Sequence, residues 1–228
     1  MPKLTGVGAA TSVGAATVTL RAYYSSYHLW AAKHFAQLAD GIEAAHSGGP
    51  RFDIEHRTLI TSSVLSSVAF LDAAVNELFQ DAADGHESYI APLSSAAREA
   101  LAAFWEIAEE RRLATLDKYQ MGLVVTGHRR MEKGKQPFQD AALLVRVRNE
   151  LVHYHPQSLK SDEPEDLAKK LRSKFPLNRL MEQTGNPFFP DKCLGSGCAL
   201  WGVQSSATFA DAFFGTLGLQ PNYQRVSF

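Results

Sequence analysis

Apolar and polar positions recur with the period of a helix in almost every segment of this chain, and strand-like alternation is scarce. The spacing predicts a first helix over about Thr19–Ala45, carrying "LRAYYSSYHLWAAKHFAQLADGIEAAH"; "SGGPRF" then breaks it, because glycine and proline do not continue a helix. A second helix is expected over about Asp53–Ala83, with Asp53 as its cap. Its centre, "TSSVLSSVAFLDAAVNELF", is apolar around most of its circumference, as a buried core helix requires. A third is expected from about Ser94 to Gly127, with "EIAEERR" exposed on one face. After the loop "GHRRMEKGKQPF", a fourth helix opens at Pro137, runs to about Tyr154 and stops at Pro156. "SDEPEDLAKKLRSKF" reads as a short helix with Ser161 or Asp162 near its cap, and "NPFFPDK" as a loop. "CALWGVQSSATFADAFFGTLG" supplies a last helix ending near Gly218. The expected fold is all-α: a bundle of about five or six helices, with residues 19–228 as one domain behind a loose N-terminal arm, 1–18.

Composition changes this picture little. Of 228 residues, 45% are hydrophobic and 21% charged, which suits a globular protein and argues against wholesale disorder. The formal net charge is -1, so no global positive field recruits nucleic acid and any phosphate-binding surface must be local. Cys193 and Cys198 are too few for a disulfide framework, and no histidine or further cysteine stands near them to complete a zinc site. Small buried side chains at the start of a helix are the expected reading, with a reducing, cytoplasmic setting, no metal and no cofactor. No run looks apolar enough to span a bilayer. The opening "MPKLTGVGAATSVGAATVTL" has one lysine and an apolar stretch interrupted by Gly, Ser and Thr, which favours an arm over a signal peptide.

The fourth helix carries the chemistry. On a wheel of about 100° per residue, Leu143, Leu144, Val147, Leu151 and Tyr154 share one face that should pack into the bundle. Arg146, Asn149, Glu150 and His153 gather opposite, and Arg148 sits at the boundary with Val145 and Val152. Cleaving RNA without a metal requires a base for the 2′-hydroxyl, an acid for the leaving 5′-oxygen and positive donors for the phosphate. Histidine titrates near neutral pH and serves as either acid or base. Arginine grips phosphate oxygens in two places and stays charged, while an amide orients its neighbours without titrating. One histidine does not easily fill both proton roles in a single step, so the chemistry favours two copies of the helix facing each other in a homodimer. On spacing alone, most arginines and histidines on the polar face of a helix are simply solvated.

The stretch "RNELVHYHP" resembles the motif of the HEPN superfamily: an arginine, four to six residues, then a histidine, with a polar residue just after the arginine. Arg148, Asn149 and His153 fit it, with four residues between arginine and histidine, and Tyr154 also fits the common bacterial form. "SSVAFLDAAVNELF" is similar to the buried second helix of such proteins, with Asp72, Asn76 and Glu77 in the places of a recurrent acid and an "NE" pair. Asp72 stands where the family more often has a glutamate, a shorter reach. The resemblance spans about residues 52–218. It implies either a metal-independent endoribonuclease of the toxin or defence type, for which a separate antitoxin is a partner, or a non-cleaving module that binds RNA or protein. In the first case Arg148, Asn149 and His153 are catalytic, with Asp72, Asn76 and Tyr154 behind them.

Asp72 and Asn76 are one turn apart on a largely apolar helix, so Asp72 needs a partner: Arg148 or His153 if it serves the site, a backbone amide or an arginine such as Arg21 or Arg172 otherwise. Arg129, Arg130, Lys133, Lys135 and Arg146 are candidate contacts to an RNA backbone, although loops are often basic merely because they are solvated. His155 lies on a different side of the wheel from His153 and is expected to cap the helix end or touch Pro156, and His128 carries no assignment. Tyr23, Tyr24, Tyr27, His28 and Trp30 are expected in the core or a dimer interface before any base-stacking role. No P-loop or dinucleotide loop and no GxSxG elbow is present, which removes ATP-driven and esterase readings.

Overall fold

The computed structural model describes residues 21–155 and 166–225. These contain seven α-helices and no strand: α1 (Tyr24–Ala45), α2 (Ile54–Ala83), α3 (Ser95–Glu110), α4 (Thr115–Val125), α5 (Phe138–Val152), α6 (Asp166–Leu171) and α7 (Ser196–Thr216). The expected arm 1–18 and the expected cap at Ser161 or Asp162 lie outside the described residues. The bundle has one helix more than expected because the predicted third helix is two. It is interrupted at 111–114, where Arg112 adopts a positive φ of 48°. Such a backbone costs a non-glycine residue on the order of 1 kcal/mol and turns the chain sharply.

α2 is the central helix, touching α1, α3, α4, α5 and α7. Asp53 caps it, its side chain accepting from the His56 N–H. By length and composition alone α2 is long and apolar enough to cross a membrane. That overturns the expectation that no run reaches this level. The position of α2 accounts for its apolarity, since Ile60, Val64, Phe70, Leu71, Val75, Leu78 and Phe79 are all buried in the core. α1 runs antiparallel to it: Glu43 meets His56, the Ala32 carbonyl accepts from Ser63 Oγ, and Ser25 meets Glu77. Ala32, Ala36 and Ala39 are fully buried, and their small side chains let the two helices approach closely.

Two helix N-termini lack a side-chain cap of their own and borrow one from a neighbour. The Glu77 carboxylate on α2 accepts from the Ser25 N–H (2.8 Å) and Ser25 Oγ (2.6 Å) at the start of α1. The Glu43 carboxylate on α1 accepts from the Ser196 N–H (2.6 Å) at the start of α7. Carboxylates are favourable there because the first-turn N–H groups are otherwise unpaired and the helix dipole is positive. The chain must then pass very close to Glu43. A Cβ on Gly195 would lie 2.5 Å from Asn178 Cα and 2.9 Å from Glu43 Oε1. Gly195→Ala is therefore expected to cost about 1–3 kcal/mol by overpacking; an unchanged urea midpoint would show that the neighbours give way.

α7 closes the core. Phe209 and Phe213 meet the Tyr119 ring edge-on at 4.9 and 4.7 Å, and Gly202 lets Leu144 of α5 come near the α7 backbone. The helix ends as expected beside Gly218, whose φ of 68° and the Leu219 N–H donating to the Phe214 carbonyl form a Schellman stop. Cys193 and Cys198 are buried and free. Burial pushes the Cys198 thiol up to about 12, so it is an inert core group. The aromatic first helix divides between core and surface. Tyr23 packs edge-on to Tyr89, but Tyr24, Tyr27 and Trp30 are exposed, because only one side of α1 faces α2 and α7.

Candidate functional site

α5 is placed by its apolar face. Ala141, Leu143, Leu144 and Val147 are buried against α2 and α7, and Leu151 is half-buried. Tyr154, expected on the same face, is 46% exposed. The helix ends at Val152, so the helical period no longer governs residue 154. His153 is the C-terminal cap, its N–H donating to the Asn149 carbonyl at 2.9 Å. Its side chain is exposed and makes no hydrogen bond or ion pair among the described residues. His155 is also exposed and caps nothing among the described residues; Pro156 lies outside them.

The flank of α5 that carries Val145, Arg148 and Asn149 opens on a pocket of about 570 Å³ shared with α2 and the α3–α4 junction. Asp72 and Asn76 line the pocket from α2, and Arg112, Thr115 and Lys118 line it from the junction and α4. The structure therefore brings four of the sequence-derived residues together: Arg148, Asn149, Asp72 and Asn76. It leaves His153 and Tyr154 outside that pocket, on the exposed end of the same helix.

The partner of Asp72 is none of those expected. Thr115 Oγ1 donates to Asp72 Oδ1 at 2.9 Å and Lys118 Nζ stands 3.3 Å from the same oxygen. Lys118 Nζ also donates to Asn76 Oδ1 at 2.8 Å and sits 5.6 Å from the centre of the Trp105 ring. Asn76 Nδ2 completes the group with a long contact to Asp72 Oδ2 at 3.5 Å. Arg21 instead binds Asp81 and Asp84, and Arg172 lies over the Phe188 ring. The reason is the break at 111–114, which starts a new helix beside α2 and brings Thr115 and Lys118 within reach.

Arg148 is left without an ion-pair partner among the described residues, and its Nε is a buried donor with no acceptor. A donor in that state costs about 1–3 kcal/mol until something supplies an oxygen. Among the described lining residues, Arg112, Lys118 and Arg148 give the pocket three cations against one carboxylate, Asp72, a local positive excess in a chain of net charge -1. Sequence reasoning missed Arg112, Thr115 and Lys118. Only Asp117, an acid in the first turn of α4, marks the hidden helix start, because Ala114 provides no side-chain cap.

The basic loop lies elsewhere. Arg129, Arg130, Lys133 and Lys135 are exposed, Lys135 pairs with Glu132, and Lys133 and Arg146 line a second groove on another flank of α5. Among the described residues no three His, Cys, Asp or Glu side chains cluster as metal ligands. Comparison with protein-family models, with curated proteins and with solved structures finds no match for this chain.

Proposed function

We propose that this chain is a HEPN-like endoribonuclease that cleaves RNA without a metal, as a homodimer whose two α5 ends face each other. The observation that carries the reading is the state of Arg148: beside Asn149, in a pocket whose described lining carries excess positive charge, with no carboxylate tied to it among the described residues. Asp72 would have held it permanently in a non-catalytic module, but Asp72 is engaged by Thr115 and Lys118. One His153 takes the 2′-hydroxyl proton as the 2′-oxygen attacks the adjacent phosphorus. The bond from phosphorus to the 5′-oxygen breaks, and the other copy's histidine protonates that oxygen, leaving a 2′,3′-cyclic phosphate. Arg148 neutralises the charge gathering on the phosphate, and Asn149 orients the groups. Val152 and Tyr154, both exposed beside His153, offer an apolar rim to the second copy.

A non-catalytic dimerisation module would use the same rim, and the two readings part in one assay. Purified protein is incubated with a mixed RNA pool in excess EDTA, with Arg148→Ala alongside. Wild type is expected to release fragments ending in 2′,3′-cyclic phosphate, and the variant to cut about 10²–10³-fold more slowly, the usual cost of removing a donor to a developing oxyanion. Intact RNA in the presence of folded wild-type dimer, or equal cleavage by the variant, defeats the enzyme reading.

A further inference from the structure

A second groove, of about 460 Å³, runs along the flank of α5 that faces α6 and the 127–137 loop. Five cations line it from three separate elements: Lys133 from the loop, Arg146 from α5, Lys169 and Lys170 from α6, and Lys174 just beyond α6. Two carboxylates oppose them. Asp166 engages Arg146 at 2.5 Å and Lys170 at 2.9 Å, and Asp140 engages Lys174 at 2.6 Å. Among the described residues, five cations against two carboxylates leave a surplus of three, and Lys133 and Lys169 have no ion-pair partner.

The character of the groove selects its ligand. None of the five cations is buried, so they offer hydrated, mobile charges instead of the dehydrated cradle that a small oxyanion needs. Among the described residues no aromatic side chain lines the groove, so they supply no platform for stacking a base. Distributed lysines in a shallow channel suit the repeating charge of a phosphodiester backbone. The groove is also aligned with the motif. Arg146 and His153 are seven residues apart, two helical turns, which places them on one face about 10 Å apart along the axis.

We infer that this groove binds the backbone of single-stranded RNA and leads the strand to the His153 end of α5. Only the direction of the path rests on the endoribonuclease reading; the binding itself does not. Lys169, Lys170 and Lys174 are thereby RNA contacts that the motif and the preceding loop do not reveal.

The test measures fluorescence anisotropy of a labelled single-stranded oligoribonucleotide with the full chain carrying His153→Ala, across a salt series. Lys133→Glu with Lys169→Glu is compared with Arg51→Glu with Arg225→Glu, an equal charge change at exposed sites outside the groove. The groove pair is expected to weaken binding at least tenfold and to flatten the log–log salt slope by about 1.4, ~0.7 for each lost phosphate contact. The control pair should change affinity less than threefold. Equal losses in the two pairs, no loss in the groove pair, or no binding before either change overturns the inference. Groove-dependent binding by a chain that, with His153 intact, cuts nothing in EDTA leaves this inference standing and removes the nuclease reading.

Discussion

His153→Ala is expected to slow RNA cleavage by about 10²–10⁴-fold, the usual contribution of a positioned general acid or base. The same change should move the melting temperature little. His153 is an exposed C-cap whose side chain bonds nothing among the described residues, and surface substitutions of that kind usually fall within about 0.5 kcal/mol. Loss of activity without loss of stability separates a proton-transfer role from a structural one. A further readout tests the shared site. In the proposed homodimer, mixing wild type and His153→Ala equally and allowing exchange leaves about a quarter of the pairs with two histidines. Activity falling to about one quarter supports a pair of histidines acting together, and activity near one half shows that each copy works alone. A variant that cuts at the wild-type rate removes His153 from the mechanism.

Glu43→Ala should cause the largest loss of stability. Glu43 Oε1 takes the Ser196 N–H at 2.6 Å and His56 Nε2 at 2.8 Å, and both side chains of the pair are almost fully buried. Truncation strands a buried imidazole and an uncapped helix start, for which about 3–5 kcal/mol is the usual cost. For a chain of this length that corresponds to roughly 6–20 °C in melting temperature. A loss below about 3 °C would mean that water replaces the carboxylate.

The pH dependence follows from the balance at the same group. Burial alone pushes the Glu43 carboxyl upward, but the His56 hydrogen bond, the Ser196 and Arg179 N–H groups and the attraction of His56 outweigh it and hold it below the ordinary glutamate value. A depressed carboxylate contributes stability above its unfolded value, about 4.3, and loses it as pH falls through the folded one. Glu77 and Asp81 act in the opposite sense, because burial raises both despite their hydrogen bonds. Their contribution is greatest at low pH and is lost as pH rises through their raised values. The stability difference between wild type and Glu43→Gln cancels those opposing groups. It is expected to shrink on acidification from pH 7 to 3 in denaturant titrations; a flat difference would show that Glu43 is not charged in the folded protein.

The sequence by itself determined the all-α class, the core helices α2, α5 and α7 within a few residues, the Asp53 cap and the stop at Gly218. Those features are local: burial imposes a 3.6-residue apolar period on the chain, and caps and glycine stops act within four residues. It also placed Arg148, Asn149 and His153 on one helix, because spacing along a helix fixes neighbours. Tertiary structure decided the rest. The α3–α4 break at Arg112 carries no proline or glycine to announce it, and it alone puts Thr115 and Lys118 on Asp72, which leaves Arg148 without an ion-pair partner among the described residues. The caps of α1 and α7 come from Glu77 and Glu43, 52 and 153 residues away along the chain. The basic groove joins Lys133 and Arg146 to the lysines of α6, a pairing that no periodicity within one element encodes. Contacts between elements depend on how the helices pack, and packing is a property of the whole core.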